Sequence, residues 1–205
     1  MSDTTIFDYA TPFDVMVGAW TGHSILYDSK GEYKFTGPSL VAIYWKEPGK
    51  VLRYFQEDMG NLDAIIAQHE GHYPVADVIQ TRAFDLHIDP KSPKACVSGK
   101  DSPIRVQGAE SRPGTYLFHL EFPAQGKSPG GNYYNNQYFS NPNERHIIGP
   151  YVPNVHADSA TPASDFSSVI AQTFTRISYA DIPEEFQALE KAYMKNVGEA
   201  ASKKA

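Results

Sequence analysis

Residues 17–22 read VGAWTG, and this stretch decides the fold of the chain. Trp20 is one of only two tryptophans, and it begins the first predicted strand. Glycines close to a large ring allow the backbone to approach it and allow the strand to bend. A small barrel needs such a bend at the end where it is plugged. We therefore predict that Trp20 closes one end of a β-barrel.

The composition indicates one globular domain with a net negative charge. The chain has 205 residues, of which 41% are hydrophobic and 20% are charged, and this length supports one sizeable core. A formal net charge of −6 argues against nucleic acid or an anionic membrane as a partner, because such binding needs clustered Lys and Arg. Cys96 is the only cysteine, so an intrachain disulfide is excluded. We interpret residues 1–205 as a single domain in a reducing compartment.

After residue 18 the sequence reads as a series of short strands separated by turn-forming residues. The predicted strands span residues 20–27, 32–45, 51–57, 62–68, 81–88, 95–97, 104–108, 115–122, 132–139, 145–151 and 168–178. The segment 62–68 is too short for periodicity to separate a strand from a helix, and we interpret it as a strand. Residues 1–10 are predicted to form an N-terminal arm. A helical turn that begins at Thr11-Pro12 is predicted to form the floor of the barrel.

Two segments near the C-terminus depart from the strand pattern. Residues 182–198 carry apolar side chains at helical spacing, which predicts a helix that lies against the outside of the barrel. These side chains are Phe186, Leu189, Tyr193 and Val197. Residues 151–166 are rich in Ala, Ser and Pro, and long loops in compact domains are commonly functional. We interpret this segment as a flap over the barrel mouth, with a tolerated insertion as the alternative.

The short turns between most strands predict an antiparallel up-and-down meander. An open sheet of this many strands would leave two unpaired edges, whereas a closed barrel leaves none. A barrel of about eight to ten strands also encloses space for one small ligand. The predicted fold is therefore all-β: a single antiparallel barrel of about eight to ten strands with a C-terminal α-helix packed outside it.

The order Gly18, Ala19, Trp20 at the start of the first strand resembles the calycin superfamily of lipocalin-like, small-ligand barrels. In lipocalin-like barrels this Trp packs against an Arg at the end of the last strand, and Arg176 stands in the matching place. The motif found in the middle of a typical lipocalin is missing. Secreted lipocalins usually have a signal peptide and disulfides, whereas residues 1–9 do not show the pattern of a signal peptide and a single cysteine cannot form an intrachain disulfide. The resemblance thus implies an intracellular barrel, and we expect a cytoplasmic location.

The sequence contains 13 Tyr and 11 Phe, many of them in predicted strands. Aromatic residues favour strands in any case, so they are either ordinary core and surface residues or the walls of a ligand pocket. In the second interpretation they bind a small, largely apolar molecule, such as an aromatic or polyene-like one, in the lumen. The residues predicted to bind it are Trp20, Tyr54, Phe84, Tyr116, Phe118, Tyr134, Tyr138 and Gln172.

The remaining candidates for chemistry are few. His69 and His72 lie close together, but no third ligand follows, and no metal is predicted. Cys96 lacks the basic surroundings that would activate its thiol. Two acid–base pairs are predicted to lie on the solvent side of the wall, because the residues that alternate with them are better core. These pairs are Asp85 with His87, and His119 with Glu121.

We interpret the chain as a protein that binds a small molecule in the barrel lumen and needs no cofactor. The alternative is a cofactor-free enzyme of secondary metabolism, such as a cyclase, isomerase or lyase, that uses the same cavity. A buried ionisable group with a partner would favour the enzyme, whereas a lining of aromatic and amide side chains would favour the binding protein. The sequence leaves the ligand and the oligomeric state open.

Overall fold

The structure is a computed structural model, and it describes residues 9–58, 81–100, 102–124, 130–154 and 168–178. These residues form ten strands and a short 3₁₀ helix over Asp14–Met16. The strands are β1 Gly18–Asp28, β2 Tyr33–Glu47, β3 Val51–Asp58, β4 Thr81–Asp89, β5 Ser92–Ser98, β6 Arg105–Arg112, β7 Thr115–Phe122, β8 Gly131–Asn141, β9 Glu144–Pro153 and β10 Ser168–Ile177. The all-β class predicted from the sequence is confirmed for this part of the chain.

The ten strands form one closed antiparallel barrel in which strands adjacent in sequence are adjacent in space. Closure comes from β1, which pairs with β2 on one side and with β10 on the other. The β1–β10 register runs from Ala19 opposite Ile177 to Asp28 opposite Ser168. The predicted up-and-down barrel is therefore confirmed.

Trp20 is the centre of a plug that closes one end of the barrel. Its side chain is fully buried, and its indole Nε1 donates a hydrogen bond to the carbonyl of Met16 at 2.9 Å. The Arg176 guanidinium carbon lies 4.2 Å from the centroid of the indole ring, within the range of a cation–π contact. The same guanidinium donates hydrogen bonds to the carbonyl oxygens of Val15, Val17 and Pro142. The predicted contact between Trp20 and Arg176 is confirmed.

The segment before β1 forms the floor of the barrel, as predicted. Phe13, Val15 and Met16 are at most 1% exposed and belong to the main hydrophobic core. The carboxylate of Asp14 fixes the turn, because it accepts hydrogen bonds from Nε1 of Trp45 at 2.7 Å and from the backbone N–H of Thr11 at 2.8 Å. The floor is thus held by a polar contact at its rim and by apolar packing above it.

The two ends of the barrel differ in the length of their connections. At the Trp20 end, β2–β3, β4–β5, β6–β7 and β8–β9 are joined by tight turns. At the opposite end, which we call the mouth, the chain from β3 to β4 and from β9 to β10 takes up residues 59–80 and 154–167. The direction of the strands therefore places the longest connections on the side away from the plug.

The predicted strand over 62–68 and the predicted helix over 182–198 lie outside the described residues, as does most of the flap predicted over 151–166. The first residues of that flap are described, and there the prediction is wrong, because β9 continues to Pro153. Pro150 lies opposite Val169, and Pro153 lies opposite Gly131. A proline fits a strand wherever the ladder does not need its missing N–H donor, so these prolines do not end β9.

Candidate functional site

The lumen between the plug and the mouth is lined by a mixture of apolar and polar side chains. The lining residues are Met16, Tyr54, Gln56, Arg82, Phe84, Leu86, Val106, Phe118, Leu120, Tyr133, Asn135, Gln137, Ile147 and Gln172. They leave a cavity of about 20 Å³, which is room for one water molecule. Four of the lining side chains are amides, and no carboxylate or imidazole of the described residues is among them.

Most of the predicted binding residues do lie inside the barrel. Tyr54, Phe84, Phe118 and Gln172 line the cavity, and Trp20 and Tyr116 are buried in the core near the plugged end. The rings of Tyr54 and Phe84 stack face to face, with centroids 4.8 Å apart and an interplanar angle of 3°. The structure therefore brings these two together as one flat apolar surface on the lumen wall.

The predicted inward orientation of Tyr134 and Tyr138 is wrong. Their side chains face outwards and are 48% and 42% exposed, whereas Tyr133, Asn135 and Gln137 of the same strand face the lumen. Adjacent tyrosines at 133 and 134 make the two faces of β8 look equally apolar. The two buried amides resemble surface residues in a sequence, so hydrophobic alternation points to the wrong face.

Each outward tyrosine stacks on a histidine of a neighbouring strand. The Tyr134 and His119 ring centroids are 4.5 Å apart, and those of Tyr138 and His146 are 4.7 Å apart. Nε2 of His119 also lies 2.8 Å from Oδ1 of Asn132. The predicted outward placement of His119 is confirmed, and these pairs stabilise the outer surface rather than the lumen.

Arg145 is a buried arginine that sequence reasoning missed. It is 0% exposed and lies on the same face of β9 as the cavity-lining Ile147. Its Nε and Nη2 donate hydrogen bonds to Oε1 of Gln137 at 3.2 and 2.9 Å, and Nη2 donates to the Tyr54 hydroxyl at 3.3 Å. No described residue forms a hydrogen bond with its Nη1. Among the described residues, no carboxylate forms an ion pair with it.

Aromatic rings surround the Arg145 charge. Its guanidinium carbon lies 5.4 Å from the ring centroids of both Tyr54 and Phe174, and such cation–π contacts replace part of the lost hydration. In the sequence, Arg145 follows a turn and precedes a histidine, which is typical of a solvated strand end. Its spacing to Ile147 was the one signal that it shares the inner face.

Arg82 brings a second guanidinium group to the lumen. Arg82 is 2% exposed, and its side chain lines the cavity. Nearby polar side chains are held to the wall by hydrogen bonds from the Gln56 amide to Ser39 Oγ at 3.0 Å and from the Gln172 amide to Ser24 Oγ at 2.6 Å. The described lumen therefore carries positive charge set among amides and hydroxyls.

Tyr116 anchors the floor and keeps its proton. Its hydroxyl donates a hydrogen bond to the carbonyl of Pro12. Burial raises the pKa of the Tyr116 phenol far above its ordinary value, and the negative charges of Glu110 and Asp14 raise that pKa further. A phenol in this state acts as a hydrogen-bond donor, so the geometry gives Tyr116 a structural role.

Asp85 and His87 face outwards, as predicted, and they do not act as an acid–base pair. The Asp85 carboxylate accepts hydrogen bonds from Arg53 Nη2 at 3.0 Å and from Lys46 Nζ at 2.8 Å. Burial alone would raise the pKa of Asp85, but the hydrogen bonds from Arg53 and Lys46 outweigh burial and lower that pKa below its ordinary value. The carboxylate is therefore held ionised by its cations.

The other chemical candidates are inert or absent in the described part of the chain. Burial raises the pKa of the Cys96 thiol to about 12, so the reactive thiolate is scarce at neutral pH. The described residues contain no group of three metal-ligating side chains; His69 and His72 lie outside them. Within the same residues, no helix is long and apolar enough to cross a membrane.

Comparisons with known proteins indicate the fold and nothing finer. No protein-family model matches the sequence, and no curated protein matches it significantly. The chain is similar in structure to a DUF3598-family protein of unknown function from Nostoc punctiforme, with a TM-score of 0.55 and 11% identity over 80% of this chain and 49% of that chain. The chain thus spans about half the length of that protein. An identity this low shows the shared fold alone.

Two further solved structures resemble the barrel more distantly. Rv2717c from M. tuberculosis has a TM-score of 0.48 and 12% identity, over 83% of this chain and 99% of that chain. The protein EF1p2_mFAP2b, solved bound to DFHBI, has a TM-score of 0.43 and 9% identity, over 82% of this chain and 98% of that chain.

Proposed function

We propose that this protein binds a small molecule in the barrel lumen, and that the molecule combines an apolar body with an anionic group. The observation that carries the proposal is Arg145, a fully buried guanidinium whose Nη1 has no hydrogen-bond partner in the part of the chain that the structure describes. Burying a charge without a counter-charge costs several kcal/mol, and proteins keep such charges mainly where a ligand or partner completes them. An anionic group of the ligand supplies the missing partner.

The rest of the lining fits the same ligand. Tyr54 and Phe84 offer a stacked aromatic surface, and apolar side chains such as Leu120 and Ile147 continue it. Ligand sites commonly combine a mostly apolar wall with a few fixed polar groups that set orientation. We expect the apolar body of the ligand to lie along this wall, with its anionic group pointing towards Arg145.

Because the empty cavity is small, side chains of the lumen must move before a ligand can bind. The 20 Å³ that remain hold about one water molecule, so a larger ligand has to replace side chains that now fill the lumen. Met16, Gln56 and Gln172 have long side chains, and a ligand displaces the two amides only if their hydrogen bonds to Ser39 and Ser24 break and their rotamers change. Because the plug fills the other end, the ligand enters from the mouth.

The lining supports a binding protein over the cofactor-free enzyme. A cyclase, isomerase or lyase without a cofactor needs proton-transfer groups at the substrate. Among the described residues that line the cavity there is no carboxylate and no imidazole. Tyr54 and Tyr133 bring phenols to it, and the Tyr54 hydroxyl is engaged by hydrogen bonds with Gln56 and Arg145. Arg145 presents a planar fork of hydrogen-bond donors in a fixed geometry, which suits it to orient and neutralise an anionic ligand.

Two fluorescent probes with the same ring systems test the proposal. 8-Anilinonaphthalene-1-sulfonate is anionic, whereas N-phenyl-1-naphthylamine lacks the sulfonate. We expect the protein to bind the sulfonate more tightly, and we expect Arg145→Met to weaken only that binding, by about 10- to 100-fold, which corresponds to one charge-assisted hydrogen bond. Fluorescence titration measures both affinities. Arg105→Met is the matched control, because the Arg105 side chain is 81% exposed.

Thermal unfolding of the ligand-free variants separates binding from a structural role. If Arg145 is retained for a ligand, Arg145→Met should not lower the unfolding midpoint, since the variant removes an uncompensated buried charge. Arg145→Lys keeps the charge but loses the fork of donors, and its affinity for the sulfonate should be intermediate. Unchanged sulfonate binding by Arg145→Met, or a large fall in its midpoint, would show that Arg145 serves the fold instead.

A further inference from the structure

Two amide side chains of β8, Gln137 and Asn135, follow Arg145 along the wall of the lumen. They are 4% and 6% exposed, and both line the cavity. Gln137 Oε1 accepts the hydrogen bonds from Nε and Nη2 of Arg145, and Gln137 Nε2 donates to Asn135 Oδ1 at 3.3 Å. The three side chains thus form a hydrogen-bonded chain that runs from the plugged end towards the mouth. We call Gln137 and Asn135 the amide row.

Arg145 fixes the direction of the amide row. A guanidinium group only donates hydrogen bonds, so the oxygen of Gln137 must face it and the nitrogen of Gln137 must face away. That nitrogen needs an acceptor, which turns the oxygen of Asn135 towards Gln137. The row therefore ends in the nitrogen of Asn135, and no described residue accepts a hydrogen bond from this Nδ2. A buried donor at the end of the row faces the cavity.

A second chain of hydrogen bonds leaves Arg145 with the same direction. The Tyr54 hydroxyl accepts a hydrogen bond from Arg145 Nη2, and it donates its own proton to Gln56 Oε1 at 2.5 Å. Gln56 Nε2 then donates to Ser39 Oγ at 3.0 Å. In both chains the amide oxygens point back towards Arg145 and the amide nitrogens point away from it. One buried charge thus orients amides on two walls of the lumen.

The amide of Gln172 on β10 is not oriented in this way. Its Nε2 donates to Ser24 Oγ at 2.6 Å, but a serine hydroxyl both donates and accepts, so either end of the amide satisfies it. Gln172 can therefore turn either an acceptor or a donor towards a ligand. Asn135, which is fixed through Gln137, offers its donor.

We propose that the lumen binds an acid whose apolar body carries a carbonyl oxygen, with the anionic group at Arg145 and the carbonyl oxygen at Asn135 Nδ2. This inference rests on the anionic ligand proposed above and names its second polar group. A buried N–H group without an acceptor is unfavourable, and a ligand oxygen supplies the acceptor. A ketone or ester oxygen only accepts, whereas a hydroxyl group brings a proton that needs an acceptor of its own.

The geometry of β8 sets the distance between the two polar groups of the ligand. Residues two apart on a strand are separated by about 6.8 Å, and Gln137 occupies the position next to Arg145. An extended carbon chain covers this distance in about six bonds, since three bonds of an extended chain span roughly 3.6 Å. We therefore expect the carbonyl group six bonds from the carboxylate carbon, at about position 7 of an unbranched acid.

Two acids of equal length, 7-oxodecanoate and decanoate, test the proposal. Isothermal titration calorimetry measures their affinities for the parent protein, for Asn135→Leu and for the control Gln172→Met. We expect the parent protein to bind the oxo acid at least about threefold more tightly, as one net hydrogen bond provides. Asn135→Leu should reverse this preference, because it buries the carbonyl group without a donor. Gln172→Met should change both affinities alike.

The outcomes separate this inference from the proposed function. If both acids bind and Asn135→Leu leaves the ratio of their affinities unchanged, the carbonyl site at Asn135 is overturned while the anion site at Arg145 stands. The same holds if neither acid binds but 8-anilinonaphthalene-1-sulfonate does. If none of the three compounds binds, both proposals fail.

NMR spectroscopy of the unmodified protein gives a second readout, which decides if Asn135→Leu does not fold. The side-chain amide signals of nitrogen-15-labelled protein report hydrogen bonds made by Nδ2, and those of Asn135 are assigned through its backbone. We expect 7-oxodecanoate to shift them downfield relative to the complex with decanoate, since only the oxo acid brings an acceptor. Identical Asn135 side-chain signals in the two complexes would overturn the proposal.

Discussion

The walls formed by β1–β4 and by β5–β9 share one core but differ on their outer faces. In β3, residues 51–56 are all buried, whereas β7 alternates buried with more exposed positions along its length. Phe55 is 0% exposed on the outside of the first wall, and Leu117 is 54% exposed on the outside of the second. Both are large apolar residues on outward-facing positions, so their surroundings, and not their type, decide their burial.

This difference shows when hydrophobic alternation can be trusted. Where one face of a strand meets solvent, as in β7, the alternating pattern indicates which side chains point inwards. Where both faces of a strand are covered, its sequence is a nearly continuous apolar run, as in residues 39–45. Such a run does not show which side chains point inwards. The continuous run itself then predicts that something covers the outer face.

Truncation of the two outward residues should show the largest contrast between the walls. We expect Phe55→Ala to lower the free energy of unfolding by about 3–5 kcal/mol, since it leaves a cavity in a buried cluster. Leu117→Ala should change it by less than about 0.5 kcal/mol, since it removes an exposed side chain. Urea denaturation followed by tryptophan fluorescence measures both. Equal losses in the two variants would mean that the walls do not differ.

The ion pairs on the two outer faces should differ in their effect on pH stability. The folded-state pKa of Asp85 lies below its ordinary value of 3.8, so its contribution to stability is present above about pH 4 and is lost as the pH falls further. We expect Asp85→Asn to unfold at a lower urea concentration at pH 7 and to approach the parent protein near pH 2.

Glu121→Gln on the other wall is the matched control for this pH profile. Glu121 faces Arg105 at 3.9 Å, and the two side chains are 48% and 81% exposed. Exposed pairs of this kind contribute little, and the control should follow the parent protein at every pH. A pH profile of Asp85→Asn that runs parallel to the parent would disprove the role of the Arg53–Asp85 pair.

The smallest effect is expected for the aromatic pair on the exposed wall. Tyr134→Ala removes a ring that stacks on His119 across two strands, and cross-strand pairs of this type contribute about 0.2–1 kcal/mol. A double-mutant cycle with His119→Ala measures the coupling free energy from urea midpoints. A coupling well above that range would indicate that the outer face of β5–β9 is more than a solvated surface.

The sequence predicted those parts of the molecule that depend on local signals. The VGAWTG stretch and Arg176 located the plug, and turn-forming residues located most of the strands. The site was only partly predictable. Which side chains of β8 point into the barrel depends on the polarity of the lumen, and the sequence does not show that polarity. Asn135 and Gln137 face inwards on the side of Arg145, and no local pattern of apolar residues indicates that these two amides are buried.

Closure between the first and last strands has a consequence for the order in which the chain folds. The amide of Gln172 donates a hydrogen bond to Ser24 Oγ across 148 positions in the chain, and the whole β1–β10 ladder has comparable separations. During synthesis, β1 therefore keeps an unpaired edge until nearly all of the barrel has left the ribosome. A pairing between such distant strands forms slowly, because the entropy of closing a long loop opposes it, and an open strand edge invites pairing with other chains meanwhile. Pairing of β10 with β1 thus completes the barrel. It also covers the open edge of β1 and so ends the risk that this edge pairs with another chain.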